Sequence, residues 1–180
     1  TTMKTMYADY NAMTEAGYVP WDSEAMFDVL TYEKGGSVLR MLEQHIGEAT
    51  FRDGVREYLR RHAYANADTL DLWKALGDVA GKQVPDLMQG WVFQPGHPLI
   101  EVRREPGGLH LHQRRFTYLP AEARPDGASA PNQRWMVPLQ IRLHSAGGPT
   151  TVRHLLEDRE AVVPAPPDLR WAVVNAGGAA

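Results

Sequence analysis

The sequence contains no cysteine, which excludes disulfides and thiolate metal sites and sets a cytoplasmic location as the expectation. No apolar run approaches the ~20 residues that a membrane span needs, and the opening Thr1-Thr2-Met3-Lys4 lacks the apolar core of a secretion signal. No membrane association is therefore expected. Neither sign of charge dominates, since 19 basic and 22 acidic residues leave a net charge of −3. That balance gives no basic footprint for a nucleic-acid partner. His-Glu-x-x-His is missing, and no two histidines stand four apart. His110 and His112 share a strand face, but no third ligand is evident beside them, so exposed strand residues are the plainer reading. Gly-x-Ser-x-Gly is absent, and Gly35-Gly36 and Gly147-Gly148 lack the spacing or the lysine of a phosphate-cradling loop.

What is present is a chain of 180 residues, 43% of them hydrophobic, long enough for one domain or two small ones. Its bias toward Arg, Ala, Gly and Pro suggests a GC-rich bacterial source. The first half repeats apolar residues at three and four, the period of helices. Met3, Met6, Tyr7, Tyr10 and Met13 form a first stripe. A second segment opens at Asp22 or Ser23, either one a good N-cap, and runs through Phe27, Leu30, Val38, Leu39 and Leu42 to a stop at Gly47. The pair Gly35-Gly36 inside it costs about 2 kcal/mol of helix propensity, which predicts close packing or a kink there. A third helix carries Phe51, Val55, Tyr58 and Leu59 on one face, with Arg52, Arg56, Arg60 and Arg61 on a solvated one. A fourth starts near Asp68-Thr69, with Asp71 favouring its N-terminal end, and stops at Gly81. A short fifth follows Pro85 with Leu87, Met88, Trp91 and Val92.

At Gln94-Pro95-Gly96-His97-Pro98 the pattern changes, because two prolines around a glycine cannot continue a helix. Alternation then predicts strands at Leu99–Arg103, Leu109–Phe116, Trp135–Leu143, Thr151–Leu156, Ala161–Val163 and Trp171–Val174, with a long loop over 120–134. Short strands at this spacing suggest a β-sandwich. The expected fold class is α+β: an all-helical segment over 1–95, then a small antiparallel β-sandwich over 96–180.

One stretch carries more than periodicity. Tyr32-Glu33-Lys34-Gly35-Gly36-Ser37-Val38-Leu39-Arg40-Met41-Leu42 resembles the Tyr-x-Lys-Gly-x-x-Val-Leu-x-Met-Leu segment of zinc aminopeptidases of the aminopeptidase N family, which are gluzincin metallopeptidases. Ile46-Gly47-Glu48, Phe51-Arg52-Asp53-Gly54, Tyr58-Leu59, His62 to Ala67, Asp71-Leu72-Trp73, Trp91 and Gln94 to Pro98 follow in that family's order and spacing. The similarity is dense over 27–103 and thin elsewhere. A departure lies ahead of the tyrosine, where Tyr18-Val19-Pro20-Trp21 replaces a Ser-His-Pro-Ile type segment.

The resemblance implies a fragment covering the end of the catalytic domain and the β-sandwich after it. It implies that Tyr32 is catalytic, its phenol donating a hydrogen bond to the oxyanion of peptide hydrolysis. Taken alone, a helix tyrosine reads as core packing. By the same resemblance Phe27 is substrate-binding, lining the pocket for the first side chain, although a core aromatic is an equal reading. Glu33 and Lys34 are expected in structural hydrogen bonds or ion pairs, Asp71 in helix capping, and Trp91 and Pro95 in packing where helices and sandwich join. Zinc is implied for the parent enzyme, held by an upstream part of the same polypeptide. No metal ligand and no bound zinc are expected in this chain, which would be inactive alone. The partners implied are peptide substrates and that upstream zinc-binding part. The competing reading is a non-catalytic aminopeptidase-like scaffold acting through protein contacts; a freestanding carbohydrate-binding or adhesion sandwich does not account for the helical half.

Overall fold

The computed structural model describes residues 30–118 and 133–178, and the chain divides between Gln94 and Pro95 into two compact units. The expected first stripe at Met3–Met13, the N-cap at Asp22 or Ser23, and Phe27 lie outside the described residues, as does most of the 120–134 loop.

In the first unit a π-helical turn, Leu30–Lys34, runs without a break into α1, Gly35–Ile46. Gly47 separates α1 from α2, Glu48–Arg61; α3 follows at Thr69–Ala80 and α4 at Val84–Val92. The glycine pair thus falls where π geometry gives way to α geometry, a change of helix type that is rare and tends to mark functional sites. Among the described residues close packing does not explain Gly36, because a Cβ there would meet none of them within 4 Å.

Two aspartates define the start of α3. Asp68 Oδ1 accepts from the backbone N–H of Leu70 at 2.7 Å and of Asp71 at 3.1 Å, while Asp71 Oδ2 accepts from Asp68 N–H at 2.9 Å. This reciprocal box satisfies donors that the first helical turn leaves without partners, and it gives Asp71 the capping role expected of it. The helix ends at Gly81, which takes the left-handed conformation that glycine adopts without steric cost.

The core of this unit is Met41, Leu42, Trp73, Leu76, Leu87 and Met88. Along α2 the buried position is Gly54, and Leu59 is 61% exposed, not part of the packed face as the periodicity suggested. The reason is geometric: at about 100° per residue, Leu59 stands ~140° around the helix from Gly54, the point at which α2 meets α3. The arginines of α2 are exposed as expected, and three of them are held in ion pairs. Arg56 pairs with Asp53 at 2.9 Å, Arg60 with Glu57 at 2.6 Å, and Arg61 with Glu57 at 2.8 Å and across to Asp78 of α3 at 2.7 Å. The guanidinium groups of Arg60 and Arg61 lower the Glu57 carboxyl to about 2 from its usual 4.5.

The second unit holds two three-stranded antiparallel sheets, ordered β1-β2-β5 and β4-β3-β6. Their strands are β1 Pro98–Glu105, β2 Gly108–Arg115, β3 Val137–Ser145, β4 Gly148–Leu156, β5 Glu160–Pro164 and β6 Trp171–Val173. The fold class is α+β, helices first and a small antiparallel sandwich after them. Strand bounds shift from expectation mainly at hairpins. Glu105 pairs with Gly108 and Ser145 with Gly148, so both hairpins close on two-residue turns and their strands begin earlier than the turn residues suggested.

Alternation sends Leu109 and Leu111 of β2, Val137, Leu139, Ile141 and Leu143 of β3, and Val163 of β5 into the sandwich core. Among these apolar residues sits one buried polar side chain, Gln113, 1% exposed. Its Nε2 donates to the carbonyls of Trp135 at 2.9 Å and Asp158 at 2.7 Å, and its Oε1 accepts from Trp135 N–H at 2.9 Å. One amide thereby ties β2 to the lead-in of β3 and to the β4–β5 connection. No described helix is long and apolar enough to cross a membrane.

Candidate active site

Tyr32 sits in the π-helical turn and is 59% exposed, so core packing is not its role. It stands on an open groove of about 560 Å³ within the helical unit. The turn and the start of α1 supply one side through Tyr32, Lys34, Gly36 and Leu39. Tyr58 of α2, Leu72 and Trp73 of α3, and Met88 and Trp91 of α4 supply the rest. The capping box at Asp68 brings the first turn of α3 to the rim, so Lys34 and Asp68 place one charge of each sign at the groove. The lining is otherwise mostly apolar, with aromatic rings from three helices. Such a surface suits an apolar or aromatic group presented next to a phenol.

Glu33 and Lys34 are exposed, and among the described residues neither side chain forms the hydrogen bond or ion pair expected of it. Phe27, the residue expected to line the pocket for a first side chain, lies outside the described residues. Trp91 is half-buried in the groove wall. Sequence reasoning placed Tyr58, Leu72 and Trp91 on apolar stripes but gave no signal that they converge on Tyr32; helix periodicity reports a face, not what the face meets.

Among the described residues no three His, Asp or Glu side chains are grouped so as to hold a metal ion. His110 and His112 share the outer face of β2 and approach carboxylates, Glu105 at 3.6 Å and Glu101 at 3.9 Å. Glu101 is bound at 2.8 Å by Arg114, which lowers its pKa. His62 lies 3.9 Å from Asp71, too far for a hydrogen bond. The described residues therefore do not fit a zinc centre.

The peptidase family M1 domain model matches residues 5–91. Among curated relatives, the puromycin-sensitive aminopeptidase of Caenorhabditis elegans is 35% identical over 169 residues, covering 88% of this chain and 17% of its own length. The tricorn protease-interacting factor F2 of Thermoplasma volcanium is 38% identical over 122 residues, covering 68% of this chain and 15% of its own length. A leucyl aminopeptidase of Saccharolobus solfataricus is 31% identical over 156 residues, covering 87% of this chain and 18% of its own length. The chain thus spans less than a fifth of the length of these relatives. From the match that contains Tyr32 and its groove, and from alignments that continue across most of the chain, it follows that this chain belongs to peptidase family M1.

Proposed function

We propose that this chain forms part of a zinc-dependent aminopeptidase that removes N-terminal residues from peptides, and that its contribution to the chemistry is Tyr32. In this reading residues 1–95 are the closing helical part of the catalytic domain and residues 96–180 the β-sandwich that follows. The observation carrying the proposal is an exposed tyrosine at a change of helix type, on an aromatic groove, inside the stretch that matches family M1.

Hydrolysis of a peptide bond builds negative charge on the carbonyl oxygen, and a donor aimed at that oxygen stabilises the transition state more than the ground state. A phenol suits the task. It is neutral near pH 7, and its ring holds the hydroxyl at fixed reach from the backbone. Following the family resemblance, zinc is assigned to an upstream part of the parent polypeptide, which also supplies the remaining chemistry. The isolated chain is accordingly proposed to be inactive. Phe27 is proposed to line the pocket for the substrate's first side chain. The absence of cysteine supports a cytoplasmic location.

The deciding experiment is Tyr32→Phe in the full-length parent, assayed on an aminoacyl-anilide. A fall in kcat with KM nearly constant supports the assignment, and unchanged kcat removes it. A parent that hydrolyses no aminoacyl substrate at all, with or without added zinc, would instead favour the non-catalytic scaffold.

A further inference from the structure

We infer that the outer face of the β4-β3-β6 sheet is a docking surface for an extended acidic segment of a separate polypeptide, with the pattern acid-x-acid-x-aromatic. The surface belongs to the second unit and stands apart from Tyr32 and its groove. Charge, shape and spacing carry the inference.

None of β3, β4 and β6 contains an acidic residue, although the whole chain has a net charge of −3. Register and alternation place Arg142 and Arg153 together on the outer face, away from the buried Ile141 and Leu143, and both arginines are exposed. Among the described residues neither forms an ion pair. Asp168, which leads into β6, is engaged by the backbone N–H of Ala146 at 2.8 Å. The other sheet is the contrast: on its outer face Glu101 holds Arg114 at 2.8 Å, and Glu105 and Glu160 add further negative charge. A guanidinium without an internal partner is a receptor for a carboxylate, which it can bind through two parallel hydrogen bonds.

On the same face Trp171 is 46% and Val173 48% exposed. The indole of Trp171 lies parallel to the imidazole of His144, with ring centroids 4.9 Å apart and an interplanar angle of 3°. This stack holds the indole in place before a partner arrives, which lowers the entropy cost of docking on it.

Arg142 is in register with Thr151 of β4 and with Val173 of β6, so Arg153 and Trp171 are its diagonal neighbours in opposite directions. Arg153, Arg142 and Trp171 therefore form one line across the sheet, in steps of about 7–8 Å. Side chains at i, i+2 and i+4 of an extended segment project to one side in steps of about 6.4–6.8 Å. Two carboxylates followed by an aromatic ring at those positions meet two guanidinium groups and an indole in the same order.

Other occupants fit less well. Two arginines give a nucleic acid few phosphate contacts against the chain's net negative charge. The chain's own Asp158-x-Glu160-x-Val162 has a related pattern, but Asp158 is bound by Arg134 at 3.0 Å, and Glu160 and Val162 belong to the opposite sheet. Copies joined in that way would stack head to tail, an arrangement less common than closed pairs.

Fluorescence anisotropy of labelled Gly-Glu-Thr-Glu-Thr-Phe-Gly, with the 180-residue chain and with the full-length parent, tests the proposal. Saturable binding to both is expected, weakened about tenfold or more by Arg142→Glu, Arg153→Glu or Trp171→Ala and unchanged by Arg103→Glu on the other sheet. The isomer Gly-Glu-Glu-Thr-Thr-Phe-Gly, whose acids project to opposite sides, should bind about fivefold more weakly. Equal affinity across the variants, or for the two peptides, would overturn the proposal. Binding to the chain but not to the parent would overturn it in favour of another part of the parent lying on this face. Tighter binding of a single-stranded oligonucleotide would do so in favour of a nucleic acid, and self-association lost in Arg142→Glu in favour of a second copy.

A charge swap separates docking from damage to the fold. The double variant Arg142→Glu, Arg153→Glu should bind Gly-Lys-Thr-Lys-Thr-Phe-Gly in place of the acidic peptide, at unchanged far-ultraviolet circular dichroism. A folded double variant that binds neither peptide, or still binds the acidic one, would refute direct pairing with these arginines.

Discussion

Gly54 of α2 lies against Leu76 of α3 so closely that a Cβ on Gly54 would stand 2.6 Å from Leu76 Cδ2 and 3.1 Å from Leu76 Cα. Leu76 is fully buried, and one of the two close contacts is with its backbone, which cannot rotate away as a side chain can. The missing side chain sets the spacing of the two helices.

Gly54→Ala therefore opposes two effects. Alanine gains about 1 kcal/mol of helix propensity, while overpacking costs about 1–3 kcal/mol. The tight contact with backbone as well as side chain makes overpacking the larger, and a net loss of about 1 kcal/mol is expected. A lower urea midpoint at unchanged m-value, followed by helical circular dichroism, checks it. A raised midpoint would show that α2 and α3 can separate at little cost.

Gln113 presents the reverse case, a polar group that the core requires. Gln113→Leu leaves the N–H of Trp135 and the carbonyls of Trp135 and Asp158 without the partner they share. Each buried orphan costs about 1–3 kcal/mol, and a combined loss of about 3 kcal/mol is expected, less than the sum because the groups relax together. Thermal unfolding monitored through tryptophan in the near ultraviolet measures it. A variant within about 0.5 kcal/mol of the original would mean that water replaces the amide.

Glu57 governs an acid-sensitive contribution. Its pKa is lowered to about 2 in the folded state from an ordinary 4.5 by Arg60 and then Arg61. A depressed carboxylate stabilises the fold above its unfolded pKa and loses that contribution as pH falls through the folded one. The window is thus pH 4.5 down to 2. Glu57→Gln should flatten the fall in stability across that window, and the two proteins should converge near pH 2. The pairs are exposed, so the difference should also shrink as salt rises. Parallel pH profiles for the two proteins would show that Glu57 does not titrate with folding.

In the role proposed for Tyr32, Tyr32→Phe in the full-length parent should lower kcat about 10²–10³-fold with little change in KM, the signature of a hydrogen bond made in the transition state. Because Tyr32 is exposed, the same change should alter stability by no more than about 0.5 kcal/mol. A fall in kcat that tracked a fall in stability would assign the residue a structural role instead.

Much of the architecture was legible before any coordinates. Gly47 and Gly81 end helices where the sequence signals said they would, Asp68 and Asp71 cap α3, and the proline-glycine run after Gln94 precedes a change from helix to strand. These are local effects, decided by backbone freedom, missing N–H groups and side chains that reach only a few residues along the chain. The resemblance that singled out Tyr32 is also a property of residue order alone.

Three-dimensional packing decided the rest. Leu59 and Gly54 exchange the roles their hydrophobicity suggests, because interhelix contact is set by closest approach and not by how apolar a residue is. Gln113 reads as the polar end of an alternating strand until Trp135 and Asp158 are brought beside it from 22 and 45 residues away. The groove at Tyr32 belongs to no segment, since its walls come from the π-helical turn and all four helices. A cavity is made by the distance between elements, and that distance is written in no single stretch of sequence.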